Sequence, residues 1–140
     1  MQIVSGAQKI VVGVDDNALN VRLLKEILVR AGYGFVGAVS GEGCLKALRT
    51  TRPAMILLDV VMPDIDGFET CRRLRAMPGL GKVPVAFVTS LKTRDDVLKG
   101  MAAGGNDFVL KPFAAGKLLE RVGYWIARAS LAAGTATGTP

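Results

Sequence analysis

The feature that most constrains the fold is the uninterrupted apolar run from Ala54 to Leu58, which ends at Asp59. Five successive apolar residues without polar alternation predict a strand that is buried on both faces. Such a strand belongs in the middle of a parallel sheet with helices on both sides. Pro63 and Gly67 then break the chain into a loop. Because open α/β sheets bind ligands at the carboxyl ends of their strands, Asp59 is either a turn residue or a working group.

Strand and helix patterns alternate five times along the chain. Strands are predicted at residues 9–14, 35–39, 54–58, 84–89 and 107–110. Helices are predicted at residues 17–31, 40–50, from 68 to near 78, 95–103 and from about 114 to 129. The alternation predicts a doubly wound α/β sandwich with a five-stranded parallel sheet in the order 2-1-3-4-5, as in flavodoxin-like folds. That order brings Asp15 and Asp16 close to Asp59.

Length and composition predict one globular domain, since half of the 140 residues are hydrophobic. We expect an N-terminal extension at residues 1–8, the folded domain at 9–129, and a flexible tail or linker at 130–140. The tail suits either a free terminus or a tether to another domain. No apolar run reaches the ~20 residues of a membrane span, and the N-terminus lacks the pattern of a signal peptide. We therefore expect a cytoplasmic protein without a membrane partner.

The charged and sulfur-containing residues exclude several classes of function. The net charge is +6, but basic residues are spread over every helix without interleaved aromatics, which favours a solvated surface over direct nucleic-acid binding. The chain has no histidine, so Ser-His and Cys-His catalysis, imidazole metal sites and a phosphohistidine donor role are excluded. Cys44 and Cys71 lie on apolar helix faces and are expected to be buried thiols. Any metal is therefore expected to be a hard cation with oxygen ligands.

Polar residues follow or end four of the predicted strands. They are Asp15 and Asp16 after the first, Asp59 after the third, Thr89 on the fourth and Lys111 after the fifth. Neighbouring carboxylates need a counter-charge, and Mg²⁺ suits them because it takes oxygen ligands and keeps waters that a phosphoryl group can replace. Lys111 supplies a second positive charge and Thr89 a hydroxyl donor. This set suits phosphoryl transfer, with the central carboxylate of Asp59 as candidate nucleophile.

Four stretches together carry a family resemblance. They are Val14-Asp15-Asp16-Asn17, residues 58–67, Val88-Thr89-Ser90 and Lys111-Pro112-Phe113. In this order and at these separations, residues 9–129 resemble the response-regulator receiver domain, the CheY-like family. The resemblance implies a phosphoacceptor signalling domain of a two-component pathway rather than an enzyme, although such a domain assists its own phosphorylation and dephosphorylation.

The resemblance also implies specific roles at the site. Asp59 would accept a phosphoryl group from a phosphohistidine on a histidine kinase or histidine phosphotransfer protein. Asp16 and Asp59 would bind Mg²⁺ directly, Asp15 through water, and Val61 through its backbone carbonyl. Thr89 and Lys111 would hold the phosphate oxygens.

Further implications concern the backbone and the response to phosphorylation. The Lys111-Pro112 bond would be cis. Phosphorylation would change the face formed by the fourth helix, fifth strand and fifth helix, beside Phe108, where many relatives have tyrosine. That face would bind a downstream effector, a fused output domain or a second copy of the chain.

Three alternative interpretations apply to a chain with this pattern. A haloacid dehalogenase-type phosphatase needs a second acid where Val61 stands, and a flavodoxin-type domain needs a Ser/Thr/Gly phosphate loop where Asp15 and Asp16 stand. Both are disfavoured. The third alternative is an interaction module of the same fold that works without phosphorylation.

Two helices are also expected to have side-chain caps at their N-termini. Asp16 or Asn17 is expected to cap the first helix, and Asp66 the third.

Overall fold

Five strands and five helices alternate along the part of the chain that a computed structural model describes, residues 8–138, with side chains described for 8–132. The elements are β1 Ile10–Val14, α1 Ala18–Arg30, β2 Gly34–Ala38, α2 Gly41–Ala47, β3 Met55–Leu58, α3 Gly67–Arg75, β4 Val85–Thr89, α4 Arg94–Ala102, β5 Asp107–Leu110 and α5 Ala115–Gly138. Apart from Gln8, the expected N-terminal extension lies outside the described residues, as do residues 139 and 140 of the expected tail.

The five strands form one parallel sheet in the order β2-β1-β3-β4-β5, which confirms the predicted fold class. Val14 of β1 pairs with Leu58 of β3, and Leu58 pairs with Phe87 of β4. Thr89 at the end of β4 pairs with Leu110 at the end of β5. Because parallel strands share one direction, the residues that follow β1, β3 and β5 emerge at the same edge of the sheet.

The central strand β3 separates two hydrophobic layers, as the apolar run predicted. Its four residues are all buried, with Ile56 and Leu58 in one cluster and Met55 and Leu57 in the other. The first cluster packs against α2 and α3, and the second against α1 and α5. Each such side chain contributes roughly 1.5–3 kcal/mol when fully buried. The buried sheet therefore forms a rigid base for the loops at its edge.

Side-chain caps fix where the helices begin. Asn17 caps α1 by accepting a hydrogen bond from the Leu19 N–H at 2.9 Å, so it is Asn17 and not Asp16 that caps this helix. Asp66 caps α3 through the Glu69 N–H at 2.8 Å, which confirms the prediction. With the cap supplied by its neighbour, the carboxylate of Asp16 stays exposed at the edge of the sheet.

Two helices have features that their predicted bounds do not include. α5 continues to Gly138, so the prediction that it ends at about residue 129 is wrong. Alanine is the best helix former, and the alanine-rich stretch continues the helix without needing a large apolar face. On α4, the apolar residues Leu98 and Met101 are exposed. In the described part of the chain, no helix has the length and hydropathy needed to cross a membrane.

One basic residue departs from the expected solvated surface. Arg75 is half-buried, and its guanidinium donates hydrogen bonds to the backbone carbonyls of Leu80, Val83 and Gly104 and to Oδ1 of Asn106. Carbonyl oxygens thus replace the water that the guanidinium loses. Arg75 therefore joins the end of α3 to the loop before β4 and to the turn before β5.

Candidate functional site

Backbone hydrogen bonds extend the sheet by one residue at each position where a candidate side chain leaves it. The Asp59 N–H donates to the Val14 carbonyl at 3.0 Å, and the Asp15 N–H donates to the Ala38 carbonyl at 3.2 Å. The Lys111 N–H donates to the Thr89 carbonyl at 3.0 Å. The sheet itself therefore holds Asp15, Asp59 and Lys111 in fixed positions relative to one another.

Three carboxylates come together at this edge, as the strand order predicted. Asp15 is 3% exposed and Asp59 7% exposed, whereas Asp16 is exposed. One oxygen from each of the three lies within 4.8 Å of the other two. An all-oxygen donor set with this density of negative charge suits Mg²⁺, a hard cation that is held by carboxylates and water. The residues present therefore fit a magnesium site.

Lys111 reaches from the end of β5 across the end of β4 to the carboxylates. Its Nζ lies 2.6 Å from Asp15 Oδ2 and 3.0 Å from Asp59 Oδ2. Burial by itself lowers the pKa of Lys111, but the hydrogen bonds to both carboxylates and their charges raise this pKa above the ordinary lysine value. Lys111 therefore carries a full positive charge between two buried acids. Its bond to Pro112 is cis, as the resemblance implied.

Further hydrogen bonds orient the two buried carboxylates. Asp59 Oδ1 accepts from the Val60 N–H at 2.7 Å, and Asp15 Oδ1 accepts from the Asn17 N–H at 2.9 Å. Nδ2 of Asn20 donates to Asp15 Oδ2 at 3.2 Å. Asn20 was not predicted from the sequence, because nothing in its local pattern separates it from a solvated residue of α1. Both acids are thus held in one orientation before any ligand arrives.

Thr89 and Val61 flank the carboxylates in different ways. Thr89 is completely buried, and its Oγ1 accepts a hydrogen bond from the Leu91 N–H at 3.3 Å. Val61 lies in the loop after β3 and is 59% exposed. The loop closes tightly, because the Gly67 N–H donates to the Val60 carbonyl at 2.7 Å. A Cβ at Gly67 would overlap the Asp59 carbonyl oxygen, so only glycine allows α3 to begin this close to the site.

A cavity of about 440 Å³ opens beside the charged cluster. Its walls are mainly apolar and include Leu23, Leu24, Val88, Pro112 and Phe113, with Asp15, Asn20, Ser90 and Lys111 also lining it. The buried carboxylate–lysine pair is therefore reachable from this side of the molecule.

The aromatic residue at position 108 packs against the core. The ring of Phe108 is half-buried, with its centroid 5.1 Å from that of Phe87. Phe87 in turn packs edge-on against Phe68 of α3 at 5.3 Å. A row of three rings therefore connects α3 to β5 across β4.

Comparison with known proteins gives concordant matches. The family model for the response regulator receiver domain matches residues 11–123. The chain is 42% identical over 106 residues to the transcriptional regulatory protein AfsQ1 of Streptomyces coelicolor, covering 76% of this chain and 45% of that protein. It is 39% identical over 109 residues to the response regulator PleD of Caulobacter vibrioides, covering 78% of this chain and 24% of PleD. The chain thus spans less than half the length of these curated relatives.

A solved receiver-domain structure has the same fold as this chain. It is the receiver domain of the sensor histidine kinase PA1611 of Pseudomonas aeruginosa, described with a magnesium ion coordinated in the active site cleft. It is 27% identical to this chain, with a TM-score of 0.79, and the match covers 86% of this chain and 98% of that domain.

Proposed function

Because this chain belongs to the response regulator receiver domain family, we propose that it is a phosphoacceptor of a two-component signalling pathway and that Asp59 takes the phosphoryl group. Receiver domains are signalling domains, and we propose that this one is not an enzyme that turns over a separate substrate. The observation that carries the proposal is the buried Asp15–Lys111–Asp59 ion-pair cluster at the carboxyl edge of the sheet. The phosphatase stays disfavoured because Val61 stands where it needs a second acid, and the flavin-binding domain because Asp15 and Asp16 stand where it needs a phosphate loop.

The proposed reaction transfers one phosphoryl group from a phosphohistidine of a histidine kinase or histidine phosphotransfer protein. A carboxylate oxygen of Asp59 attacks the phosphorus, and an O–P bond forms while the N–P bond of the donor breaks. The imidazole nitrogen leaves with the electron pair of that bond. The product is an acyl phosphate on Asp59, beside the ammonium of Lys111.

Mg²⁺ is the proposed cofactor, since the carboxylates supply the oxygen ligands that it prefers. Asp16 and Asp59 would hold it directly, Asp15 through a water, and Val61 through its backbone carbonyl. When bound, it neutralises negative charge on the carboxylates and the phosphoryl group. The neighbouring receiver structure described with magnesium in its active site cleft supports this part of the proposal.

Two further residues are proposed to hold the oxygens of the transferred group. Lys111 would donate from its ammonium, which already lies 3.0 Å from Asp59. Thr89 would donate from its hydroxyl, whose position at the end of β4 is fixed by pairing with Leu110 and by the contact with the Leu91 N–H. Such donors stabilise charge that develops during phosphoryl transfer.

The proposed output surface is formed by α4, β5 and α5. It carries exposed apolar side chains, namely Leu98, Met101, Leu110 and Tyr124. Exposed apolar groups of this kind suit a protein partner, for which we propose a downstream effector, an output domain of a longer chain or a second copy of this one. We place the domain in the cytoplasm because histidine kinases phosphorylate their histidine from ATP, which is found there.

The test is intact-mass measurement after incubation with acetyl phosphate, with and without Mg²⁺. We expect the wild-type chain to gain one phosphoryl group only with Mg²⁺, and Asp59→Ala to gain none. Asp95→Ala removes an exposed carboxylate from the first turn of α4 and is the matched control, expected to react like wild type.

Two results would contradict the proposal. An adduct that persists in Asp59→Ala would identify another acid as the acceptor. An unmodified wild-type chain, both with acetyl phosphate and with a phosphorylated histidine phosphotransfer domain, would favour the interaction module that works without phosphorylation.

A further inference from the structure

The side chain of Asp64 links the loop after β3 to the start of α2. Its Oδ1 accepts from the Gly41 N–H at 3.2 Å, and its Oδ2 accepts from the Glu42 N–H at 2.8 Å. α2 already has its own cap, because Ser40 Oγ accepts from the Gly43 N–H at 2.9 Å. Asp64 is therefore a second acceptor for this helix, and it comes from a distant part of the chain.

Close packing accompanies these hydrogen bonds. A Cβ added at Gly41 would overlap Oγ1 of Thr70 and the side chain of Ile65, so the start of α2 lies directly on the loop and on α3. Burial raises the pKa of Asp64, but hydrogen bonds from the backbone of Glu42 and Gly41 lower this pKa below the ordinary aspartate value. The Asp64 carboxylate is therefore ionised at neutral pH and accepts both bonds.

The loop from residue 60 to 66 is held at both ends by the sheet and by α3. Before the loop, the Asp59 N–H donates a hydrogen bond to the Val14 carbonyl of β1. At its other end, the Gly67 N–H donates to the Val60 carbonyl. Between these points, Asp64 makes the only hydrogen bonds from the loop to an element other than α3 among residues 8–132. The same loop carries Val61, whose carbonyl is a proposed cation ligand. The link from Asp64 to α2 therefore acts on the segment that completes the cation site.

We propose that Asp64 is a positioning residue that fixes the 60–66 loop on α2 and thereby holds the Val61 carbonyl for the divalent cation. This inference rests on the proposed function, since it concerns the same site. A backbone ligand on a loose loop must lose conformational freedom when the cation binds, which weakens binding. Changes to groups that orient metal ligands typically lower metal affinity by roughly 10–100-fold.

The test is calorimetric titration of the 140-residue chain with MgCl₂ for wild type, Asp64→Ala, Asp64→Asn and Ser40→Ala. Asp64→Ala and Asp64→Asn remove the same charge, but asparagine keeps an accepting oxygen. Ser40→Ala removes a cap of α2 without touching the loop. We expect Asp64→Ala to raise the Kd for Mg²⁺ about tenfold and Asp64→Asn to give a smaller increase. Ser40→Ala should lower Tm and leave the Kd unchanged.

The outcomes separate this inference from the proposed function. Equal Kd values for Asp64→Ala and Asp64→Asn would mean that only the charge of Asp64 affects cation binding. Equal Kd values for Asp64→Ala and Ser40→Ala would mean that Asp64 only caps α2. Either result overturns the inference while the cation site stands. A wild-type chain that does not bind Mg²⁺ would overturn the cation site and the inference together. Asp64 is exposed, so Asp64→Ala is expected to fold; circular dichroism checks this, and Asp64→Ser replaces it otherwise.

Discussion

The ammonium of Lys111 lies closer to Asp15 than to Asp59, at 2.6 Å from Asp15 Oδ2 against 3.0 Å from Asp59 Oδ2. A residue after β5 is thereby joined to a residue after β1, across the ends of the two strands that lie between them. Lys111 pairs with two of the three carboxylates of the proposed cation site. Lys111 and a bound divalent cation would therefore compete for part of the same negative charge.

Replacing Lys111 with methionine should strengthen Mg²⁺ binding and weaken the fold in the absence of Mg²⁺. Loss of the ammonium leaves two buried carboxylates without their cation. We expect a loss of about 1–3 kcal/mol of unfolding free energy, less than for a fully buried pair because the Lys111 side chain is 25% exposed. Thermal unfolding without and with saturating Mg²⁺ measures both effects, since a ligand that binds the folded state raises Tm. Lys117→Met, which removes an exposed ammonium, is the control. Weaker Mg²⁺ binding by Lys111→Met would show that the lysine organises the site instead of competing for it.

The stabilising effect of Lys111 should disappear at alkaline pH. Its pKa is raised in the folded protein, so the folded state holds the proton more tightly than the unfolded chain does. The contribution is therefore fully present below the ordinary lysine pKa of about 10.5 and is lost as pH rises through the higher folded-state value. Urea unfolding of wild type and Lys111→Met should give a constant difference in free energy up to that pH and a shrinking one above it. A difference that shrinks already near neutral pH would contradict the raised pKa.

Arg75→Lys should destabilise the fold although it conserves charge. The guanidinium donates to three backbone carbonyls and to Asn106, and an ammonium lacks the planar fork that reaches them all. We expect a loss of about 2–4 kcal/mol, since hydrogen bonds to charged groups contribute about 1.5–3 kcal/mol each. Urea unfolding of wild type and Arg75→Lys measures this loss of unfolding free energy. Arg72→Lys, at an exposed ion pair with Glu69, should cost less than about 1 kcal/mol. Equal losses for the two variants would mean that water replaces the Arg75 contacts.

Both thiols should be unreactive in the folded protein. Burial, with a smaller effect of Cys71, raises the pKa of Cys44 to about 12, and burial also raises the pKa of Cys71. The thiolate is the reactive species, so almost none is available near neutral pH. Incubation with a thiol-specific disulfide reagent should label neither residue in the native state and both after unfolding in guanidinium. Rapid labelling of the native chain would mean that α2 and α3, which carry the two thiols, separate readily.

The sequence was sufficient to predict the elements that carry the site. Apolar runs that end in Asp15 and Asp59 indicate strands, because burial on both faces removes every polar residue until the chain reaches the edge of the sheet. The shorter run before Lys111 belongs to the edge strand β5, which is only partly buried. The parallel order of those strands then places the three side chains at one edge. Local rules also predicted the cap at Asp66, since a cap depends on residues only a few positions apart.

Other contacts left no periodic signal in the sequence. Asn20, Asp64 and Arg75 are single polar residues whose partners belong to other elements. Nothing in their local pattern separates them from solvated residues on the same elements. The end of α5 was also misplaced, because small residues allow either a helix or a linker and only the folded chain shows which forms.

The sequence by itself determined the alternation of strands and helices and which carboxylate, hydroxyl and ammonium groups stand at the ends of the strands. The tertiary structure alone decided which of the acids are buried. It buries Asp15 and Asp59 around Lys111 and leaves Asp16 exposed. The sequence shows which side chains follow each strand. The distances between them, however, depend on how neighbouring strands align and how a long side chain from β5 reaches across the sheet edge.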